Sequence, residues 1–164
     1  MAEYKNIMVY VETAEGNPVK VGLEMLSPAK KLADKVTAVV IGGGVADAAK
    51  EVAKAGADQV ICVDSEDYKE FNLDAYAQVL VELVKEENPE AVFVGGTQDG
   101  KDIAPVVAAK CNTGCASDVL DIKAEDGEVI YTCPLYGGTV LEDVKIKTTP
   151  QIATLRSGAF QKVE

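Results

Sequence analysis

The stretch EAVFVGGTQDGKDIAPVVAAKC, residues 90–111, changes its character part-way. EAVFVGG (90–96) is a short apolar run ending in glycines and predicts a buried strand. GKDIAPVVAAKC (100–111) predicts a helix. A strand that turns through glycines into a helix is the repeating unit of a parallel α/β sheet. Upstream, the same unit recurs. YKNIMVYV (4–11) reads as a buried strand. PVKVGLEMLSPAKKLAD (18–34) reads as a helix carrying Val21, Leu23, Met25, Leu26 and Leu32, with an irregularity expected at Pro28. VTAVVIGG (36–43) is a second strand, and VADAAKEVAKAG (45–56) a helix stopped by Gly56. ADQVICVD (57–64) is a third strand, and NLDAYAQVLVELVKEENP (72–89) a helix ended by Asn88-Pro89. The order to residue 111 is therefore βαβαβαβα, which predicts a three-layer, mostly parallel sheet, a nucleotide-binding type of architecture.

Beyond Gly114 no helix is expected. DVLDIKAEDGEVIYTCPL suggests two strands around a turn at Asp126-Gly127. TVLEDVKIKT and QIATLRS supply two further extended runs, so antiparallel strands are expected to finish the α/β half. No linker or repeat divides the chain, and residues 1–164 are expected to form a single α/β domain.

Composition narrows the function classes. Of 164 residues, 48% are apolar and 26% charged, as in an ordinary globular domain. The net charge of −11 opposes nucleic-acid and anionic-membrane partners. No signal peptide or membrane-length apolar run is apparent, which makes a cytoplasmic location the expectation and membrane insertion not expected. Histidine is absent, which removes the commonest general base and the commonest metal ligand. The cysteines at 62, 111, 115 and 133 are irregularly spaced. They are expected to be small buried thiols rather than zinc ligands or disulfides.

Gly95, four residues, Gly100 and Lys101 match a phosphate-binding P-loop up to its last position. There Asp102 stands where a hydroxyl should hold Mg²⁺. A carboxylate in the first turn of the helix repels a polyphosphate, and Asp99 adds a second. Triphosphate hydrolysis is therefore not expected. The plainer alternative has Thr97 or Asp99 capping the helix, with Lys101 solvated. The glycines at 95, 96 and 100, and GGG at 42–44, still suggest backbone that something approaches closely. Both turns leave the carboxyl ends of parallel strands, where open α/β sheets hold ligands. Ser117-Asp118 and the cysteines lack a histidine partner, so no catalytic residue is expected.

GGTQDGKDIAPVVAAK (95–110), CASDVLDI (115–122), CPLYGGTV (133–140) and IATLRSGAF (152–160), in that order, resemble the amino-terminal domain of the electron-transfer flavoprotein alpha subunit. The likeness begins at KNIMVYVE and includes GADQVICVD. It implies an electron carrier formed with a beta subunit, serving dehydrogenases and a quinone reductase or other acceptor. It also implies that FAD is held mainly by a separate carboxyl-terminal domain of the complete complex. The present chain is then an isolated domain, a fragment or part of a split subunit, a scaffold not expected to hold FAD alone. Thr97, Gly100, Lys101 (where Arg is more frequent) and Asp102 match the family loop, and Arg156 carries over. With Gly95 and Gly96, the residues Thr97, Gly100, Lys101 and Arg156 are the candidate nucleotide- or partner-facing set. They imply a rim at 95–102 and 115–118 facing a partner or its nucleotide. Cys133 and Ser157 depart from the family's usual Arg and Pro. The alternative is a stand-alone adenine-nucleotide-binding module.

Overall fold

The computed structural model describes residues 3–163. The first strand, β1 (Tyr4–Tyr10), is followed by a small hairpin of β2 (Thr13–Ala14) and β3 (Asn17–Pro18). Its turn is Glu15-Gly16, both at positive φ, a pairing typical of a tight hairpin turn. The predicted helix over 18–34 is two helices, α1 (Lys20–Glu24) and α2 (Leu26–Leu32), broken at Met25. Pro28 causes the break one turn upstream of itself: it lacks the N–H that would bond the Glu24 carbonyl. β4 (Ala33–Gly42) starts earlier than expected because Tyr4 of β1 pairs with Ala33.

Next come α3 (Ala46–Lys54), the edge strand β5 (Gln59–Asp64) and α4 (Leu73–Glu87). Asn72 caps the start of α4 by accepting from the Ala75 N–H at 3.0 Å, and left-handed Asn88 ends it. β6 (Ala91–Gly95) then leads into α5 (Gln98–Lys110).

The last third of the described chain supplies strands to two sheets. β7 (Cys115–Val119) and β11 (Gln151–Leu155) join the central sheet, and both run parallel to it. β8 (Asp121–Glu125), β9 (Glu128–Leu135) and β10 (Val140–Val144) form a separate antiparallel sheet. The hairpin expected at Asp126-Gly127 is present, with both residues at positive φ. What looked like one strand from Asp118 is divided near Leu120. Asp118 is left-handed and the β7–β11 register shifts there, so the chain leaves one sheet and enters the other.

The six-stranded sheet has the order β5-β4-β1-β6-β11-β7. β1 lies between β4 on one side and β6 on the other, so the order reverses between β1 and β6. Period-two alternation divides the apolar residues between two layers. Ile7, Val9, Val36, Ala38, Val40 and Phe93 face α1, α2, α3 and the small sheet. Met8, Tyr10, Val39, Ile41, Val92 and Val94 face α4 and α5. Strands apolar on both faces account for the unbroken apolar runs in the sequence. Tyr131 of β9 meets Phe93 of β6 edge-on at 6.4 Å and ties the small sheet to the large one. No helix among the described residues is long and apolar enough to cross a membrane.

Candidate functional site

The glycine turn after β6 sits at the reversal of strand order, the usual ligand position in an open α/β sheet. α5 begins at Gln98, two residues earlier than the sequence suggests. Thr97 is its cap: the hydroxyl accepts from the Gly100 N–H at 3.0 Å. The same hydroxyl donates to Glu12 Oε1 at 2.5 Å. Asp99 is thus the first-turn carboxylate, and Asp102 lies in the second turn beside Gln98. The sequence reading of Asp102 as the first-turn charge is corrected accordingly.

The close approach expected of the glycines is made by the protein itself. A Cβ on Gly100 would lie 1.8 Å from the Gly95 carbonyl oxygen and 3.0 Å from Glu12 Oε1. One on Gly95 would lie 2.6 Å from Val21 Cγ1, and one on Gly96 2.9 Å from the Leu155 carbonyl oxygen. The Gly96 N–H is bonded to that same carbonyl at 2.7 Å. The turn is therefore packed against Glu12 just beyond β1, and against α1 and β11.

The second glycine turn is closed in a similar way. Asp64 at the end of β5 accepts from the Gly44 N–H at 2.7 Å. A Cβ on Gly43 would lie 3.2 Å from the Lys69 Cα. Both turns thus present a carboxylate where a phosphate would need N–H donors. Burial raises the Glu12 carboxyl above its usual range, opposed by the Thr97 hydrogen bond and assisted by the charge of Asp99. The N–H groups of Gly96, Gly100 and Gly44 are thus bonded within the protein itself.

Two predicted site residues remain at the surface. Lys101 is exposed on α5 and Arg156 is exposed just after β11. Arg156 makes a two-pronged contact with Asp118, through Nε at 2.9 Å and through Nη2. The hydrogen bond to Arg156 holds the Asp118 carboxyl below its usual range, against slight burial and with help from the charges of Arg156 and Lys101. Asp118 also takes a hydrogen bond at its backbone, where its N–H donates to Thr154 Oγ1 at 2.8 Å. The structure therefore brings 95–102, 118 and 156 together at one end of the sheet.

The thiols differ from the expectation of small buried groups. Cys133 is buried, Cys111 and Cys115 are half-buried, and Cys62 is exposed. Burial pushes the Cys115 thiol up to about 11, which leaves it protonated and unreactive near neutrality. Among the described residues, no cluster of three or more His, Cys, Asp or Glu side chains is placed to hold a metal.

Sequence reasoning used CPLYGGTV as a motif but gave the tip of the β9–β10 hairpin no role as an exposed apolar surface. Leu135, Tyr136, Val140 and Leu141 are 38%, 84%, 45% and 60% exposed. Leu135 stands opposite Val140, and Tyr136 lies at the turn with positive φ. Apolar side chains crowded at one projecting tip mark an interaction surface more often than single exposed ones do. The signal was available in LYGGTVL, an apolar run interrupted only by turn residues.

The sequence model for the electron transfer flavoprotein domain matches residues 7–164. This chain belongs to that family. It is 38% identical to Protein FixB of Clostridium saccharobutylicum, over 99% of this chain and 51% of that protein. It is 37% identical to the electron transfer flavoprotein subunit alpha of Clostridium acetobutylicum, over 99% of this chain and 50% of that protein. It is also 32% identical to the acryloyl-CoA reductase electron transfer subunit beta of Anaerotignum propionicum, over 98% of this chain and 52% of that protein. The chain spans about half the length of these curated relatives. Family membership agrees with the resemblance drawn from four motifs. The structure accounts for two of them: GGTQDGKD is the packed turn and LYGGTV the apolar tip.

Proposed function

We propose that this electron transfer flavoprotein domain is a docking scaffold within a flavin-based electron carrier. Its partner is a beta-type subunit of the same carrier, and the assembled carrier passes electrons between dehydrogenases and an acceptor such as a quinone reductase. FAD belongs to the assembled carrier and is not held by this domain alone. The domain performs no bond-making chemistry of its own.

The observation that carries this reading is the apolar tip formed by Leu135, Tyr136, Val140 and Leu141. A projecting Tyr with flanking aliphatics can anchor an interface, because most of its surface is free to be desolvated. Lys101 and Arg156 are proposed as the charged part of a partner-facing rim. Gly95, Gly96, Thr97 and Gly100 would set the position of that rim. The glycine turns support a scaffold rather than a nucleotide module, since the Gly44, Gly96 and Gly100 N–H groups are already engaged.

The test is a binding titration with an electron transfer flavoprotein beta subunit. The wild-type chain should bind it, and Tyr136→Ala with Leu141→Lys should weaken binding by about tenfold or more. Unchanged affinity in that double variant would remove the hairpin from the interface.

A further inference from the structure

A cavity of about 290 Å³ lies at the carboxyl ends of β1 and β4, beside the β2–β3 turn. Its lining combines aromatic rings with carboxylates. Tyr68 and Phe71 each meet Tyr76 edge-on, at centroid distances of 5.8 and 5.0 Å. Glu12, Glu15 and Asp99 line the same space against a single cation, Lys69. Tyr10 contributes a further polar group. It is 2% exposed, and its hydroxyl has no hydrogen-bond partner among the described residues. Every fully buried side-chain nitrogen and oxygen among those residues does have a partner. The Tyr10 hydroxyl is therefore one that the cavity reaches, and a ligand there could satisfy it.

We propose that this cavity binds a small organic cation with N–H donors, an amine, amidine or guanidine on a flat or apolar body. The carboxylates accept the N–H groups and the Tyr10 hydroxyl completes the polar contacts. The rings of Tyr68, Phe71 and Tyr76 provide apolar area and an electron-rich surface for the charge. Phosphate-bearing ligands are selected against, because Glu12 and Asp99 repel them and Asp64 occupies the Gly44 N–H.

Benzamidine and its neutral isostere benzamide separate charge from shape. Titrated into the isotopically labelled chain, benzamidine should bind in the millimolar range or tighter, with amide shifts centred on Tyr10, Tyr68 and Phe71. Benzamide should bind at least about tenfold more weakly, and AMP should not displace benzamidine. Asp99→Asn removes a charge without breaking a side-chain hydrogen bond, and should weaken benzamidine with only a small change in melting temperature from the lost first-turn charge. Glu12→Gln retains an acceptor for Thr97 and should act in the same direction. Equal binding of benzamide, displacement by AMP, shifts centred elsewhere or no detectable binding would each overturn the proposal.

Discussion

Gly100→Ala would place a Cβ 1.8 Å from the Gly95 carbonyl oxygen, so the turn and α5 would have to separate. The substitution should cost about 3 kcal/mol, or prevent folding, as measured by urea unfolding. That outcome would establish the glycine as a packing residue whether or not any ligand is present. The need for glycine was legible in the sequence, but its cause was not, because the oxygen it avoids belongs to a turn closed only in three dimensions. Asp118 offers a second test at this scale. Its folded pKa lies below its unfolded value, so the ion pair with Arg156 stabilises above the usual carboxylate range. That contribution is lost as pH falls through the folded pKa. Asp118→Asn tolerates the left-handed backbone while it removes the charge and one of the two acceptors that Arg156 uses. The variant should be less stable than wild type at neutral pH, with the difference closing in acid, as followed by thermal melts across pH. A difference independent of pH would contradict the ion-pair assignment.

At the scale of elements, α5 depends on a cap that also anchors Glu12. Thr97→Ala should cost about 1 kcal/mol in chemical denaturation, and Thr97→Ser should restore most of it. An alanine variant as stable as wild type would show that the cap is not contributing. The strand–turn–helix character of 90–111 was legible because each part carries its own period, but the start of α5 was not. Gln98 and Asp99 are polar and carry no helical period, so the sequence placed the start at Gly100. The break in 18–34 was anticipated at Pro28 but falls at Met25, since proline removes a hydrogen bond from the preceding turn. β7 and β8 were merged because the kink at Asp118 is a backbone event at a residue type that tolerates it without requiring it. The parallel placement of β11 depends on pairing with distant β6, and that of β7 on pairing with β11, which no local pattern announces.

For the whole molecule, the closed turns belong to the central-sheet platform, and the apolar tip is the contact proposed for a partner. The family match places this platform among electron transfer flavoprotein domains. The purified chain should show no flavin absorbance band, and a stoichiometric bound flavin would oppose the scaffold reading. Assembly tests the central claim most directly. Sedimentation velocity on the chain mixed with an electron transfer flavoprotein beta subunit should show a single one-to-one complex at micromolar concentrations. Independent sedimentation of the two chains at those concentrations would contradict the account.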